Sequence, residues 1–166
     1  MKKILLLFSL TLTINVFSQQ VQNEWYTDFN EAIEVSDKTD KPLMLFFTGS
    51  DWCGWCKKLV REVYKTPEFS KWARKNVVLV DIDFPRRSKL PENIQKQNKQ
   101  LAQMFGVRGY PTIWFTYPVL DKKTKKYDIT SNKLGSTGYV AGGPSEWIKR
   151  SNQILNQDPY KSQKKK

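Results

Sequence analysis

A short apolar run that leads directly into a pair of cysteines constrains the fold of this chain more than any other feature. Leu43 to Phe47 reads LMLFF and is bounded by Pro42 and Gly49. Such a run is typical of a strand that is buried on both faces. The stretch SDWCGWCKKL follows at residues 50–59, and apolar residues then recur at helical spacing to about Tyr64. The pattern therefore predicts that the cysteines lie at the carboxyl end of a central strand, where a helix begins.

The rest of the chain alternates between helical and strand patterns. This alternation predicts one α/β domain, with a central mixed sheet flanked by helices. The first predicted helix has Thr27 or Asp28 as its cap. Predicted helices cover Trp25 to Val35, Trp55 to Tyr64, Glu68 to Lys75, Pro91 to Phe105 and Pro144 to Leu155; further predicted strands cover Val77 to Phe84, Thr112 to Tyr117 and a segment between Tyr127 and Val140.

The amino terminus has the pattern of a secretory signal peptide. Lys2 and Lys3 precede an apolar stretch from Ile4 to about Phe17, and Ser18 is a small residue at the expected cleavage position. A membrane-spanning helix needs about 20 apolar residues, and this run is shorter. We therefore expect residues 1–18 to be removed on export, which places the protein in the periplasm or otherwise outside the cytoplasm.

The chain is strongly basic. Its formal charge is +12, and loss of the two lysines at the amino terminus would leave +10. Much of the positive charge lies in two lysine runs without interleaved aromatic residues that could bind nucleic acid: Lys122, Lys123, Lys125 and Lys126, and Lys161, Lys164, Lys165 and Lys166. We expect a domain over residues 19–156, a basic disordered tail over 157–166, a monomer and no nucleic-acid partner.

Histidine is absent from the sequence, and the cysteines number two. The first fact excludes histidine-based acid–base catalysis and Cys-His proteolysis. The second excludes a four-thiolate zinc site within one chain. We therefore expect neither a metal nor a cofactor, and sulfur redox chemistry is the remaining interpretation of Cys53 and Cys56.

The position of the cysteines suits thiol-disulfide exchange. At the start of a helix, Cys53 lies near unpaired backbone N–H groups and the positive end of the helix dipole, which favour the thiolate. Cys56 lies one turn later, within reach of a mixed disulfide formed at Cys53. The alternative, a structural disulfide, would close so short a loop that it restrains the unfolded chain little.

Two segments of the sequence together resemble the thioredoxin superfamily, and in particular exported bacterial thioredoxin-like proteins with an SDWCxWCK motif. The first segment is FFTGSDWCGWCK at residues 46–57, and the second is FGVRGYPT at residues 105–112. Their order and spacing fit the region from about Trp25 to Leu155. The resemblance implies a thioredoxin fold.

The resemblance also implies roles for individual residues. Cys53 corresponds to the nucleophile and Cys56 to the resolving cysteine. Pro111 matches the family's cis-proline, which faces the disulfide, and the backbone of Tyr110 would pair with an extended substrate peptide. Gly138 corresponds loosely to the small residue that lets the substrate backbone approach.

The chain departs from the family at three places. Many thioredoxins carry a buried aspartate on the strand before the motif, which accepts the proton of the resolving thiol. This chain has Phe46 or Phe47 at the matching place, so proton transfer must use water or another group. Gly54-Trp55 replaces the dipeptides of other members, and the missing histidine there favours a reducing or moderate potential. The segment Val119 to Lys133 is longer and more basic than the hairpin usual in the family. It is interpreted either as a partner-docking loop or as a solvated insertion.

We conclude from the sequence that the protein is a thiol-disulfide oxidoreductase acting on protein disulfides, with reductase or isomerase-type activity. Its expected partners are protein disulfide substrates and a membrane or soluble thiol electron donor. Trp52 and Trp55 either form part of the substrate-binding surface, with Tyr110 and Pro111, or merely cover the helix start. The alternative function is a client-binding or chaperone-like module in which the cysteines are secondary.

Overall fold

The computed structural model describes residues 23–157. The predicted signal peptide and the tail beyond Gln157 lie outside these residues. Within residues 23–157, no helix has the length and apolar character needed to cross a membrane.

A mixed five-stranded sheet forms the centre of the described region. Its strand order is β1-β3-β2-β4-β7, in which β1, β3 and β2 are parallel and β4 and β7 run antiparallel to their neighbours. The strands are β1 (Trp25–Tyr26), β2 (Leu43–Thr48), β3 (Val78–Asp83), β4 (Thr112–Thr116) and β7 (Lys133–Thr137), and a separate hairpin consists of β5 (Val119–Leu120) and β6 (Tyr127–Asp128). The α/β class with a mixed sheet is thus confirmed.

Helices cover both faces of the sheet and bury one apolar cluster on each side. They are α1 (Phe29–Thr39), α2 (Gly54–Leu59), α3 (Pro67–Asn76), α4 (Glu92–Met104) and α5 (Gly143–Asn156). We call the cluster between the sheet and α2, α3 and α5 the cysteine layer, because it contains both cysteines. The cluster between the sheet and α1 and α4 is the opposite layer.

The central strand behaves as its composition predicts. All six residues of β2 are buried, since helices cover the sheet on both sides. Its alternate side chains enter different layers: Phe46 lies in the cysteine layer and Phe47 in the opposite layer. The chain leaves β2 through Gly49 and begins α2 at Gly54, so that the cysteine pair lies at the carboxyl end of the central strand.

Helix boundaries follow the capping residues. Asp28 is the N-cap of α1, and its carboxylate accepts a hydrogen bond from the backbone N–H of Asn30 at 2.8 Å, as predicted. The helix after the cysteines continues beyond α2 as a π-helical turn, Val60–Tyr64. Its signature is the hydrogen bond from the N–H of Lys65 to the carbonyl of Val60, five residues earlier.

The prediction that the first helix begins at Trp25 is wrong. Trp25 and Tyr26 form β1 and pair with Leu79 and Val80 of β3, and the helix begins only at Phe29. Trp25 and Tyr26 continue the apolar pattern of the following helix by chance. Their true partner is β3, which is more than fifty residues away in the sequence, so a local pattern could not reveal the pairing.

Candidate active site at the cysteine pair

Cys53 and Cys56 form a disulfide across the first turn of α2. Their Cα atoms are 5.2 Å apart, and both residues are buried, with 6% and 1% of their surfaces exposed. Cys53 is the N-cap of the helix, and its Sγ accepts a hydrogen bond from the backbone N–H of Cys56 at 3.2 Å. An N–H group directed at the first sulfur favours the anionic form of that sulfur whenever the bond is opened.

Hydrogen bonds to two aspartates connect the loop between β2 and α2 with the end of β3 and the residues after it. The Asp51 carboxylate accepts hydrogen bonds from the backbone N–H groups of Arg86 and Arg87 at 2.6–3.0 Å, and these bonds lower its pKa. The Asp83 carboxylate accepts from the backbone N–H of Ser50 at 2.8 Å and from its hydroxyl. Hydrogen bonds to β3 and to the segment after it therefore fix the loop that precedes the cysteines.

Trp52, the residue before Cys53, is held in place by three contacts. Its Nε1–H donates to the carbonyl of Phe84 at 2.7 Å, its ring packs edge-on against Tyr110 at 5.5 Å, and the Arg86 guanidinium lies 3.9 Å from its ring centroid. The ring also lies against Gly49, where a Cβ would come within 2.3 Å of Cε2. Gly49 is thus required for the placement of the indole.

Trp55, in the first turn of α2, is exposed. Of its surface, 57% is accessible, and its ring is 5.2 Å from that of Tyr139. The Lys58 ammonium lies about 5 Å from both ring centroids. The Tyr139 hydroxyl donates to Glu62 at 2.6 Å and lowers the pKa of that carboxyl. These contacts form an aromatic and cationic surface next to the cysteines.

The loop before β4 and the end of β7 meet beside the site. The Tyr110–Pro111 peptide bond is cis. A Cβ on Gly138 would lie 3.3 Å from the carbonyl oxygen of Pro111, so the two backbones approach closely. The Gly138 carbonyl accepts a hydrogen bond from Nε1–H of Trp147 in α5, which fixes the position of this segment.

Asp81 lies in β3, inside the sheet. It pairs in register with Phe46 on the adjacent parallel strand, and Leu79, two residues earlier on its face of β3, belongs to the cysteine layer. Its Oδ1 is buried and accepts no hydrogen bond from any residue between 23 and 157. Burial, together with the nearby charge of Asp83, raises the pKa of Asp81 to about 7.

Tyr64, in the π-helical turn, shares this buried environment. Its ring is 5.1 Å from that of Phe46, and its buried hydroxyl likewise has no hydrogen-bond partner within the described chain. Its pKa is raised well above the ordinary value, first by burial and then by the charge of Asp81. The cysteine layer therefore contains two buried polar groups without a hydrogen-bond partner among the described residues, and of these Asp81 has a pKa near neutrality.

The structure brings the predicted site residues together only in part. Cys53 and Cys56 are bonded, and Trp52 contacts Tyr110, whereas Trp55 contacts a different residue, Tyr139. The sequence analysis missed further residues at the site. These are Gly49, Asp51, Glu62, Asp81, Asp83, Arg86 and Tyr139. An aspartate at an interior position of a strand, between Val80 and Ile82, was the available signal for Asp81.

Within residues 23–157 there is no group of three or more cysteine, aspartate or glutamate side chains that could hold a metal ion.

Comparison with known proteins identifies related sequences. Residues 29–118 match the family described as a thioredoxin-like domain. Over 133 residues, the chain is 30% identical to the disulfide bond reductase DsbH of Chlamydia pneumoniae, an alignment that covers 80% of this chain and 74% of that protein.

Solved structures give the same result for the fold. The structure of a DsbH oxidoreductase superposes with a TM-score of 0.70 at 29% identity, over 81% of this chain and 85% of that one. A thioredoxin from Thermus thermophilus superposes with a TM-score of 0.55 at 18% identity, over 81% of this chain and 88% of that one. The second likeness concerns the fold alone.

Proposed function

Because this chain belongs to the thioredoxin superfamily and is a thiol-disulfide oxidoreductase, we propose that it works as a reductase of protein disulfides. The observation that carries the proposal is the Cys53–Cys56 disulfide at the first turn of α2. The direction of electron flow is supported by the similarity to DsbH, which is a disulfide bond reductase.

In the proposed reaction, Cys53 is the nucleophile. The N–H of Cys56 donates to Cys53 Sγ at 3.2 Å, and a positive helix terminus favours the same thiolate. This thiolate attacks a substrate disulfide and forms a mixed disulfide at Cys53. Cys56 then attacks Cys53 Sγ, restores the internal disulfide and releases the substrate as a dithiol.

The proposed substrate surface includes Trp52, Tyr110, Pro111 and Trp55. Support comes from exposure, since Trp55 is largely accessible and Trp52 and Tyr110 are half-buried beside the cysteines. An extended peptide would lie along the backbone of Tyr110, next to the small surface left by Gly138.

We further propose an exported protein with its domain over residues 19–156 and a thiol donor that reduces its disulfide. The pattern of residues 1–18 supports export. Cell fractionation followed by mass spectrometry of the mature amino terminus tests this point. A protein that retained Met1 in the cytoplasm would contradict it.

The reduction potential tests the direction. Purified protein is equilibrated in glutathione or dithiothreitol buffers, and tryptophan fluorescence reports the state of the disulfide. We expect a value near that of thioredoxin, about −270 mV, and a value near −120 mV would instead identify a disulfide donor.

A trapping experiment tests the reaction itself. The Cys56→Ser variant should accumulate mixed disulfides with proteins of its own compartment, because the resolving thiol is missing. Cys53→Ser serves as the matched control and should trap none. If Cys53→Ser retained the client binding and the biological activity of the unmodified protein, the client-binding module would be favoured over the reductase.

A further inference from the structure

Resolution of the mixed disulfide requires a proton acceptor near Cys56. This cysteine is 1% exposed, so bulk water has little access to its thiol. A buried thiol also holds its proton more tightly than an exposed one, because burial disfavours the thiolate. The second step of the proposed reaction therefore depends on a base within the cysteine layer.

The residues around Cys56 offer few bases. Within the cysteine layer, β2 contributes Met44 and Phe46, and α2 contributes Leu59 besides the cysteines. The π-helical turn contributes Tyr64, whose raised pKa keeps it protonated at neutral pH. Asp83, on the same strand as Asp81, holds Ser50 with its carboxylate. The buried carboxyl that remains is that of Asp81.

The sheet register directs Asp81 toward the cysteine layer. In-register residues on neighbouring strands project to the same face, and Asp81 is the partner of Phe46. Phe46 and Cys56 both belong to the cysteine layer. Oδ1 of Asp81 is buried without a hydrogen-bond partner among the described residues, so no structural bond engages it.

We propose that Asp81 is the buried base that takes the proton of the Cys56 thiol when Cys56 resolves the mixed disulfide. This inference rests on the proposed function. The Asp81 carboxylate accepts the S–H proton, and the sulfur electron pair of Cys56 forms the bond to Cys53 Sγ. The substrate sulfur leaves with the electron pair of the broken bond and takes up a proton, so the substrate is reduced and the dithiol oxidised.

The pKa of Asp81, about 7, suits this task. A base is most effective when its pKa lies near the working pH, because it is then partly ionised and still accepts a proton readily. Besides burial, the nearby charge of Asp83 raises this pKa, and the charge of Asp81 in turn raises the pKa of Tyr64.

The first test separates the two chemical steps. Reduced protein is mixed with a disulfide-bonded peptide, and rapid quenching follows the mixed disulfide and the released peptide thiol. We expect Asp81→Asn to slow release at pH 7 by about 10- to 100-fold, while formation of the mixed disulfide changes less than about twofold. The control Asp37→Asn removes an exposed carboxylate on α1 and should change neither step.

The pH profile distinguishes proton transfer from a merely structural effect. Release in the unmodified protein should rise through an inflection near pH 7, and this inflection should be absent in Asp81→Asn. Thermal unfolding of both proteins shows that the variant is folded. An unchanged release rate or an unchanged inflection in Asp81→Asn would overturn the inference.

A second test needs no substrate and so is independent of the proposed function. In the Cys53→Ser background, alkylation at varied pH gives the pKa of the Cys56 thiol. The ionised Asp81 carboxylate raises this pKa by repulsion, so adding Asp81→Asn should lower it. An unchanged pKa overturns the inference, whereas failure of the unmodified protein to reduce any peptide disulfide overturns the proposed function instead.

Discussion

On the side of the sheet that α1 and α4 cover, buried polar side chains are bonded to the backbone. The Ser36 hydroxyl donates to the carbonyl of Lys41 at 2.5 Å, and the Asn98 amide donates to the carbonyl of Asp83 at 2.9 Å. On the cysteine side, the Tyr64 hydroxyl and Oδ1 of Asp81 are buried without a partner among the described residues. Bonded polar groups occur on both sides, since the buried Ser151 hydroxyl on the cysteine side donates to a backbone carbonyl, whereas the unpaired groups Tyr64 and Asp81 both lie on the cysteine side.

The difference has an energetic meaning. A buried polar group without a hydrogen bond costs about 1–3 kcal/mol, and a charged one costs more. Ser36 and Asn98 avoid this cost and serve the fold. Tyr64 and Asp81 incur it within the layer that contains the disulfide, where Asp81 is the proposed proton acceptor.

The largest expected effect is the loss of turnover in Cys53→Ser. Without the nucleophile no mixed disulfide forms, and disulfide reduction should fall by about 1,000-fold or more. A turnover assay with a disulfide-bonded protein measures this loss. In Ser36→Ala, which alters a buried hydroxyl on the other side of the sheet, turnover should remain within a few fold. A similar loss in both variants would break the distinction between the layers.

Truncation on β2 compares the layers through neighbouring residues. Phe47→Ala, in the opposite layer, should lower the free energy of unfolding by about 3–5 kcal/mol, because it leaves a cavity beside Phe105. Phe46→Ala should cost a similar amount, beside Trp25 and Tyr64.

Only the Phe46→Ala variant should also change the pH dependence of substrate release, since Phe46 is the register neighbour of Asp81. Chemical denaturation and single-turnover rates measure the two quantities. Equal pH profiles in Phe46→Ala and Phe47→Ala would contradict the assignment of the proton acceptor to the cysteine layer.

Asp81 should make stability dependent on pH. Its pKa rises on folding from 3.8 to about 7, so above pH 4 the unfolded chain is ionised while the folded protein retains the proton. Stability should therefore fall as the pH rises from about 4 to about 7 and then level off. Asp81→Asn should remove this fall and gain up to about 4 kcal/mol at pH 8. Urea unfolding of both proteins at pH 4 and pH 8 measures the gain. If Asp81→Asn differed from the unmodified protein by the same free energy at both pH values, the raised pKa of Asp81 would be contradicted.

The smallest effect concerns the two glycines of the motif. Gly49→Ala should cost about 1–3 kcal/mol, because its Cβ would overlap the Trp52 ring and displace the indole from the Phe84 carbonyl. In Gly54→Ala, the matched control, the new Cβ meets no atom within 4 Å. Thermal unfolding and the tryptophan emission maximum distinguish the two. If Gly49→Ala and Gly54→Ala gave the same unfolding temperature and the same emission maximum, Gly49 would not be needed to position Trp52.

Much of the fold could be predicted from the chain pattern. The run Leu43 to Phe47 predicted the central strand, the cap at Asp28 is confirmed, and the helix after Cys53 ends at Tyr64 as expected when its π-helical turn is included. These features depend on local periodicity and local hydrogen bonds. A single sequence carries such signals directly.

Features that depend on pairing between distant residues could not be predicted. Trp25 becomes part of a strand only because Leu79 lies beside it, and Asp81 enters the cysteine layer only through its register with Phe46. The predicted long segment Val119 to Lys133 contains a small hairpin, β5 and β6, that its basic composition did not indicate.

The pairing of Phe46 with Asp81 has a consequence for how relatives are compared. Neighbouring strands are about 4.8 Å apart, so a carboxyl can move from one chain position to the other during divergence and remain in the same layer. A sequence alignment would record such a move as the loss of an acidic residue at position 46 and an unrelated gain at position 81. If the two positions are considered together, we expect lineages in which one of them, and not the other, is acidic.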